Sequence, residues 1–231
     1  MKRLLKRAFG AASAVLLLSS VLLSLISCNP DRSYDEGEVL SAASQLIKQS
    51  EILNTVYYGN GISYREAGYT NGAYSEADSF HLFALGFDTV EELKRLTEKT
   101  YTVGYSLQLY STVLTSITDD DNLYTMARYY QQFDPDDPTK PICIMVYREY
   151  DHIFEDKLTY DYSTLRVSGV KGEKVYVTLN AEVESKKGDK QTVEIDVSLI
   201  EEESGWRIDG PTWANYNEDI GKYEDLNKNN K

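Results

Sequence analysis

The chain has 231 residues, of which 37 are acidic and 24 are basic, and its formal net charge is −13 at pH 7. This length is enough for a single domain with its own hydrophobic core. A surface this anionic repels nucleic acid and anionic polymers and favours cationic partners or divalent ions. We therefore expect no nucleic-acid partner.

The first 28 residues have the pattern of a bacterial export signal. Four basic residues, at positions 2, 3, 6 and 7, precede an apolar run from Ala8 to Ile26. A secretory segment combines such a basic start and apolar run with a small residue before the cleavage site. The sequence Leu25-Ile26-Ser27-Cys28 resembles the lipobox recognised by lipoprotein signal peptidase. This resemblance implies cleavage between Ser27 and Cys28, diacylglycerol on the Cys28 thiol, and a lipid anchor on the outer face of the cytoplasmic membrane or on another envelope membrane.

Two other interpretations of this segment stay open. The apolar run is about 19 residues long, roughly what one membrane-spanning helix needs, so an uncleaved anchor is the first alternative. Serines at positions 13, 19, 20, 24 and 27 dilute the run and disfavour this alternative. Ordinary cleavage without lipidation is the second. If Cys28 is diacylated, the two acyl chains tether the protein stably, whereas one chain would hold it only marginally.

The lipoprotein interpretation divides the chain into four parts. They are a signal peptide at 1–27, a lipidated tether at 28–38, one domain at 39–216 and a polar tail at 217–231. Cleavage removes four of the 24 basic residues, so 20 basic residues remain against 37 acidic ones and the net charge becomes −17. Only Cys143 then keeps a free thiol, which excludes a disulfide framework.

The first half of the domain has mainly helical periodicity. Apolar residues near the 3.6-residue period predict an amphipathic helix over 38–58, ended by Gly59-Asn60-Gly61. Thr89 and Glu92 have capping-box spacing and predict a helix from Thr89 to about Thr100. A further helix is predicted over 105–117. Between the first two helices, the Asn71-Gly72 turn pair and the apolar run 80–85 predict a hairpin or two short strands.

The second half has the two-residue period of strands. Strands are predicted at 122–132 and 142–154, separated by a rigid polar loop at 134–138. Four more strands follow at 164–170, 174–184, 191–201 and 205–213. Apolar and polar residues alternate strictly in the second and third of these, as in antiparallel strands with one buried face. We therefore predict an α+β fold in which N-terminal helices pack on the concave side of a curved antiparallel sheet.

Three sequence stretches near the C-terminus suggest a family. They are Val175-Tyr176-Val177-Thr178-Leu179, the Val-Glu-Ile-Asp-Val-Ser-Leu run at 193–199, and Gly205-Trp206-Arg207-Ile208-Asp209. Together they resemble the closing strands of nuclear-transport-factor-2-like domains, a cone-shaped, cystatin-related fold. The resemblance covers roughly the last 50 residues of the domain, and the remainder agrees only in the order of its elements.

A narrower resemblance involves turn and helix-start residues. Tyr57-Tyr58-Gly59-Asn60-Gly61, Phe87-Asp88-Thr89 with Leu93-Lys94, and Thr100-Tyr101-Thr102 are similar to exported bacterial proteins of the DL-endopeptidase-inhibitor type. Members of that group have a cystatin-like fold and block cell-wall cysteine peptidases. The resemblance implies a peptidoglycan hydrolase as partner, but no inhibitory residue matches one for one.

The sequence contains no recognisable catalytic or metal-binding motif. Cys143 lies in the apolar run 142–147, where we expect a buried strand residue rather than a nucleophile. His81 and His152 are the only histidines, both fall in predicted strands, and neither has a partner at metal-ligand spacing. We therefore expect no enzyme activity, no metal and no cofactor.

Two features remain as candidates for binding. Asp119, Asp120 and Asp121 form one acidic cluster, and Asp134, Asp136 and Asp137 form another. Such clusters are ordinarily solvated loops, although they can supply oxygen ligands to calcium, and the first could enter a peptidase cleft in place of anionic wall peptide. The 19 tyrosines suit recognition surfaces and pocket mouths, and they equally suit the border of a core.

Together these features predict a lipid-anchored, extracytoplasmic binding protein of the bacterial cell envelope, and the narrower resemblance implies that it modulates cell-wall peptidases. The alternatives are a small-molecule-binding or enzymatic cone domain and a passive spacer within an envelope complex. A deep pocket with a buried carboxylate beside a tyrosine would favour the enzymatic alternative. A filled interior with exposed aromatic residues would favour binding.

Overall fold

The structure is a computed structural model that describes residues 34–115, 117–118, 124–150, 157–184, 188–217 and 222–225. The chain divides into two compact units, Met1–Asp35 and Glu36–Lys231, and every described helix and strand lies in the second. The proposed cleavage and lipidation residues, Ser27 and Cys28, lie outside the described residues. So do the acidic cluster Asp119, Asp120 and Asp121, and His152. Within the described ranges, no helix is long and apolar enough to span a membrane.

Helix α1 (Glu36–Tyr57) confirms the first predicted helix. Its buried residues recur every three or four positions and form one continuous face, which includes Val39, Ala43, Ile47, Ser50, Leu53, Asn54 and Tyr57. The helix ends where expected. Gly61 has φ +74°, a left-handed conformation that favours glycine, and its N–H donates to the carbonyl of Thr55 at 2.9 Å.

The segment after α1 differs in part from the prediction. Strands β1 (Thr70–Asn71) and β2 (Tyr74–Glu76) form the expected hairpin, but the apolar run 80–85 is not a strand. It belongs to helix α2 (Ser79–Leu85). The Asp78 carboxylate accepts from the Phe80 N–H at 2.8 Å, and Gly86, with φ +85°, closes the helix. These two caps select a helix in a run too short for periodicity to decide.

The two remaining helices confirm the prediction with small shifts. Helix α3 (Val90–Thr100) begins after Thr89, whose hydroxyl accepts from the Glu92 N–H at 3.1 Å. The Glu92 carboxylate in turn accepts from the Asp88 N–H at 2.8 Å, so the capping box is present one residue earlier than its usual form. Helix α4 (Val103–Val113) begins after Thr102 and ends before the predicted residue 117.

The middle strands pair with the hairpin instead of joining the C-terminal strands. Strands β3 (Ile117–Thr118) and β4 (Tyr124–Thr125) pair only with each other among the described residues. Strands β5 (Tyr129–Phe133) and β6 (Pro141–Tyr147) join the hairpin in a four-stranded antiparallel sheet of order β1-β2-β6-β5. The prediction of one sheet is therefore incomplete. Pairing between residues so distant along the chain cannot be deduced from strand periodicity.

The second four-stranded sheet is the one that the alternating pattern predicts. It contains β7 (Lys157–Lys171), β8 (Lys174–Glu184), β9 (Lys190–Glu202) and β10 (Gly205–Ile208), in the order β10-β9-β8-β7. Its central pair places apolar residues directly opposite one another. We call these the apolar row: Val175, Val177, Leu179, Ala181, Val193, Ile195, Val197 and Leu199. Every residue of the row is buried.

Helices α1, α3 and α4 pack against one another, and α1 and α3 also contact β10. Helix α1 contacts β7 as well, and register shifts in β7, at 161–166 and 167–169, bend this strand. The result confirms an α+β fold with helices packed against a curved antiparallel sheet. A further hairpin, β11 (Ala214–Asn217) with β12 (Lys222–Asp225), includes part of the predicted polar tail and lies near β9.

Candidate functional site

In the acidic loop at 134–138, the carboxylates of Asp134 and Asp137 form hydrogen bonds that stabilise the loop itself. The Asp134 carboxylate accepts from the Asp136 N–H at 3.0 Å and lies 3.5 Å from the Lys140 ammonium. Asp137 accepts from the hydroxyl and the N–H of Thr139, and these bonds lower the pKa of its carboxyl. Within the described ranges no group of three or more metal-ligating side chains is present. The other cluster, at 119–121, stays a prediction.

The surroundings of Cys143 and His81 indicate structural roles and not catalytic ones. Cys143 lies in strand β6 as expected, but it is half-buried rather than buried. Burial and the nearby Glu76 carboxylate both raise the pKa of its thiol, which disfavours the reactive thiolate. His81 lies in α2 and not in a strand. Its Nδ1 accepts from the Ser63 N–H at 2.9 Å and so ties the loop before the hairpin to this helix.

A network of hydroxyl and amide groups fills the interior between α1 and the sheet. We call it the hydroxyl cluster: Ser50, Asn54, Tyr57, Thr97, Tyr101, Tyr160 and Thr212. The Asn54 amide donates to the Thr212 hydroxyl at 2.9 Å, and the Tyr160 hydroxyl donates to the Thr212 carbonyl. The cluster places polar atoms inside the domain without placing a charge there.

Burial raises the pKa values of Tyr57, Tyr101 and Tyr160, so these phenols stay protonated even above the ordinary tyrosine value of 10.0. Among the residues that the structure describes, no aspartate or glutamate is buried. The combination of a buried carboxylate and a tyrosine, which would have favoured acid–base chemistry, is therefore not found in the described interior.

One buried cation, Arg128, holds the end of α1. Only 2% of its surface is exposed. Its guanidinium donates to the carbonyls of Val56 at 3.0 Å and Gly59 at 2.7 Å, and it lies over the rings of Tyr129 and Tyr150. Carbonyls at a helix C-terminus lack partners within the helix and carry partial negative charge, so the cation is stabilised there.

The largest exposed apolar side chains lie on α2. Phe80 is 82% exposed and Phe83 is 80% exposed. Phe83 also lines a groove of about 430 Å³ between α2 and α3. The other groove residues are Gly86, Phe87, Asp88, Glu92, Arg95, Leu96 and Lys99. We call Phe80, Phe83 and this groove the α2–α3 surface. It combines aromatic residues with charges of both signs.

The two phenylalanines are presented by a fixed helix and not by a loose loop. Leu82 and Leu85 anchor the opposite side of α2 in the core. Both ends of the helix are capped, and His81 ties its middle to Ser63. A rigid aromatic pair beside a groove with a polar rim has the composition of a protein-binding surface.

The chain matches no protein-family model, and no curated protein is similar to it at a significant level. The tyrosines do not mark this surface: among the described residues five of them are buried in the core, whereas Tyr64 and Tyr69 are exposed. The buried five are Tyr57, Tyr74, Tyr101, Tyr129 and Tyr160. The apolar run 80–85 has the character of a strand, so the sequence does not predict the α2–α3 surface. Asp78 and Gly86, at the two ends of the run, are the signal that could have revealed it.

Proposed function

We propose that the protein is a lipid-anchored binding protein of the bacterial cell envelope, and that the α2–α3 surface binds a partner protein. The observation that carries this proposal is the exposure of Phe80 and Phe83 on a helix that is fixed on its other side. The lipobox-like sequence that ends at Cys28 supports the location. The partner we propose is a peptidoglycan hydrolase of the peptidase type, whose activity the protein modulates.

Covering the rings of Phe80 and Phe83 would contribute much of the binding free energy. Aromatic side chains bury about 150–250 Å² each, at roughly 25 cal/mol per Å². Covering most of Phe80 and Phe83 would therefore contribute on the order of 6–10 kcal/mol before the entropic costs of association. The next most exposed large apolar side chain among the described residues is Val103, at 63%, so we expect the two rings to dominate binding.

Charge contributes to the choice of partner. After signal cleavage the chain would carry about 17 net negative charges, which favours a partner with a cationic face. The rim of the groove has both signs, with Arg95 and Glu92 paired at 3.3 Å and Lys99 nearby. We expect salt to slow association, while the apolar contact itself depends little on salt.

The second candidate function, an enzymatic cone domain, receives less support. The buried polar side chains of the described interior carry hydroxyl or amide groups, apart from the Arg128 guanidinium, and the carboxylates of the described residues lie at least partly exposed. The nuclear-transport-factor-2-like and inhibitor-like resemblances stay proposals. Asp119, Asp120 and Asp121 likewise stay candidate partner-binding residues, to be tested together with the aromatic pair.

The test is affinity capture from envelope extract with the full-length chain, followed by assay of the captured peptidase with and without added protein. We expect a wall peptidase to be recovered and its activity to change. The double variant Phe80→Ala/Phe83→Ala should lose it. Val103→Ala/Leu107→Ala is the matched control, because it removes two other exposed apolar side chains from a helix. Retention by the first variant, or capture without any peptidase, would refute the proposal.

The lipid anchor has a separate test. We expect the mature protein to lack residues 1–27, to carry a diacylglycerol mass on Cys28, and to partition with membranes. Cys28→Ala should abolish the lipid mass and the cleavage that depends on it. An unmodified thiol at Cys28 in the mature protein would exclude lipidation, and an intact N-terminus in the wild-type chain would favour the uncleaved anchor.

A further inference from the structure

A second concavity lies between the start of α4 and the sheet, apart from the α2–α3 surface. Its volume is about 350 Å³, at the low end of the range for small-molecule sites. Tyr105 and Gln108 of α4 form one wall, and Tyr176 of β8 and Asp196 of β9 form another. The turn at 209–211 closes it. Four separate segments of the chain, namely α4, β8, β9 and the turn, thus contribute to one cleft.

The charges in the cleft disfavour an anionic ligand. Lys174 is its one cation, and the two carboxylates are Asp196 and Asp209. The Lys174 ammonium is paired with the Asp209 carboxylate, and this contact raises the pKa of the lysine. Because that charge is already neutralised, a phosphate or carboxylate would meet no uncompensated cation. The lining therefore disfavours an anion, and a neutral ligand meets no such penalty.

The Asp209 turn is held in place before any ligand arrives. Its carboxylate accepts from the Thr102 hydroxyl at 2.8 Å as well as from Lys174. Its N–H donates to the Ser198 carbonyl at 2.8 Å, and the Ser198 hydroxyl donates to the Asp209 carbonyl at 2.8 Å. Since both carboxylate oxygens are engaged, this residue is a fixed wall. Such preorganisation lowers the entropic cost of binding.

The tyrosine and glutamine side chains of the cleft differ in whether they already have hydrogen-bond partners. The Tyr105 hydroxyl lies 3.1 Å from that of Tyr58, and its ring makes an edge contact with Tyr101 at 5.1 Å between ring centroids. In contrast, the Gln108 amide and the Tyr176 hydroxyl make no hydrogen bond with other described residues. The amide offers one acceptor and two donors, and the phenol offers one donor and one acceptor.

We propose that this cleft binds a neutral, hydroxyl-rich ring, namely a pyranose unit of a saccharide. The carbons of a pyranose pack on an aromatic face, while its hydroxyls both donate and accept, as the Gln108 amide and the Tyr176 phenol require. The absence of an uncompensated cation selects against uronic acids and sugar phosphates. This site does not depend on the α2–α3 surface or on its protein partner.

The experiment is calorimetric titration of the full-length chain in a detergent without a sugar headgroup. The probes are neutral mono- and disaccharides of hexose and N-acetylhexosamine, with a hexuronic acid and a hexosamine as charged analogues. We expect saturable binding of a neutral probe, with little dependence on salt. Tyr176→Ala should weaken it about tenfold and Gln108→Ala about fivefold, the effects of losing an aromatic contact and a hydrogen bond.

Tyr69→Ala is the matched control, because it removes an exposed tyrosine elsewhere and should leave the affinity unchanged. Gln108 is exposed on α4, so its variant tests the site without disturbing the core. No binding of any neutral saccharide would overturn the proposal. So would preference for either charged analogue, or binding that survives both cleft substitutions.

Discussion

The apolar row and the hydroxyl cluster lie in the same domain but hold it together by different forces. The row pairs Leu179 with Ile195 and their neighbours across two strands, and burial of hydrocarbon stabilises it without directional requirements. The cluster joins α1, α3 and the sheet through hydrogen bonds such as Tyr57 to Thr97 at 2.8 Å. Hydrogen bonds need correct geometry and correct protonation. Conditions that change protonation should therefore break the cluster while the row is chemically unaltered.

High pH should have the largest effect and should act through the cluster. Burial raises the pKa of Tyr57, Tyr101 and Tyr160 above the ordinary 10.0, so the folded state keeps protons that the unfolded state releases. Stability is fully present below about pH 10 and decreases as pH rises above it. We expect a part of the phenolate absorbance, that of the buried tyrosines, to rise only together with the loss of circular dichroism in an alkaline titration. Titration of all tyrosines before unfolding would contradict this account.

Truncation in the apolar row should have the next largest effect. Ile195 is fully buried, so Ile195→Ala should lower the free energy of unfolding by about 2–5 kcal/mol through lost burial and a cavity. The neighbouring Glu194 points to the other face and pairs with Arg166 at the surface. Glu194→Ala should cost less than about 1 kcal/mol. Equal losses in chemical denaturation would show that the alternation does not define the core.

Removal of the buried Arg128 guanidinium should lower the free energy of unfolding about as much as a small cavity in the core does. Arg128→Met keeps an apolar stem but leaves the carbonyls of Val56 and Gly59 without their donor. We expect a stability loss of roughly 2–4 kcal/mol, measured by urea unfolding. Arg128→Lys is the matched control and should recover part of it, since an ammonium reaches fewer carbonyls. A fully stable Arg128→Met variant would show that α1 needs no cation at its end.

The smallest effect on stability should come from the α2–α3 surface. Phe80→Ala/Phe83→Ala removes two exposed rings, so we expect the free energy of unfolding to change by less than about 0.5 kcal/mol. The melting temperature measures this change. This variant separates binding from folding. A large loss of stability would mean that the rings support the fold, and the surface would then need another explanation.

The same contrast explains what the sequence could reveal. The apolar row was predictable residue by residue, because alternation in 174–184 and 191–201 is a local pattern. The helices at 36–57, 90–100 and 103–113 were predictable for the same reason. The hydroxyl cluster was not, since nothing in the spacing of Asn54 and Thr212 indicates that they meet.

The pairing of the β1-β2 hairpin with β6 also depends on tertiary contacts. Hydrogen bonding between Ala77 and Ile144, 67 positions apart, places the hairpin beside β6, and no periodicity encodes it. For the candidate site, the sequence supplied the proposed anchor at Cys28 but not the exposure of Phe80 and Phe83. Composition alone predicts that phenylalanines are buried, and only the fixed orientation of α2 shows otherwise.

The most direct test of the proposed binding surface is site-specific cross-linking in living cells. A photoreactive phenylalanine analogue would replace Phe83 in one strain and Leu107, an exposed apolar residue on α4, in a matched control strain. Our account predicts that illumination joins position 83, and not position 107, to a peptidoglycan hydrolase identified by mass spectrometry. Equal cross-linking at both positions, or a product at position 83 without any wall peptidase, would contradict the proposal that the α2–α3 surface binds such a partner.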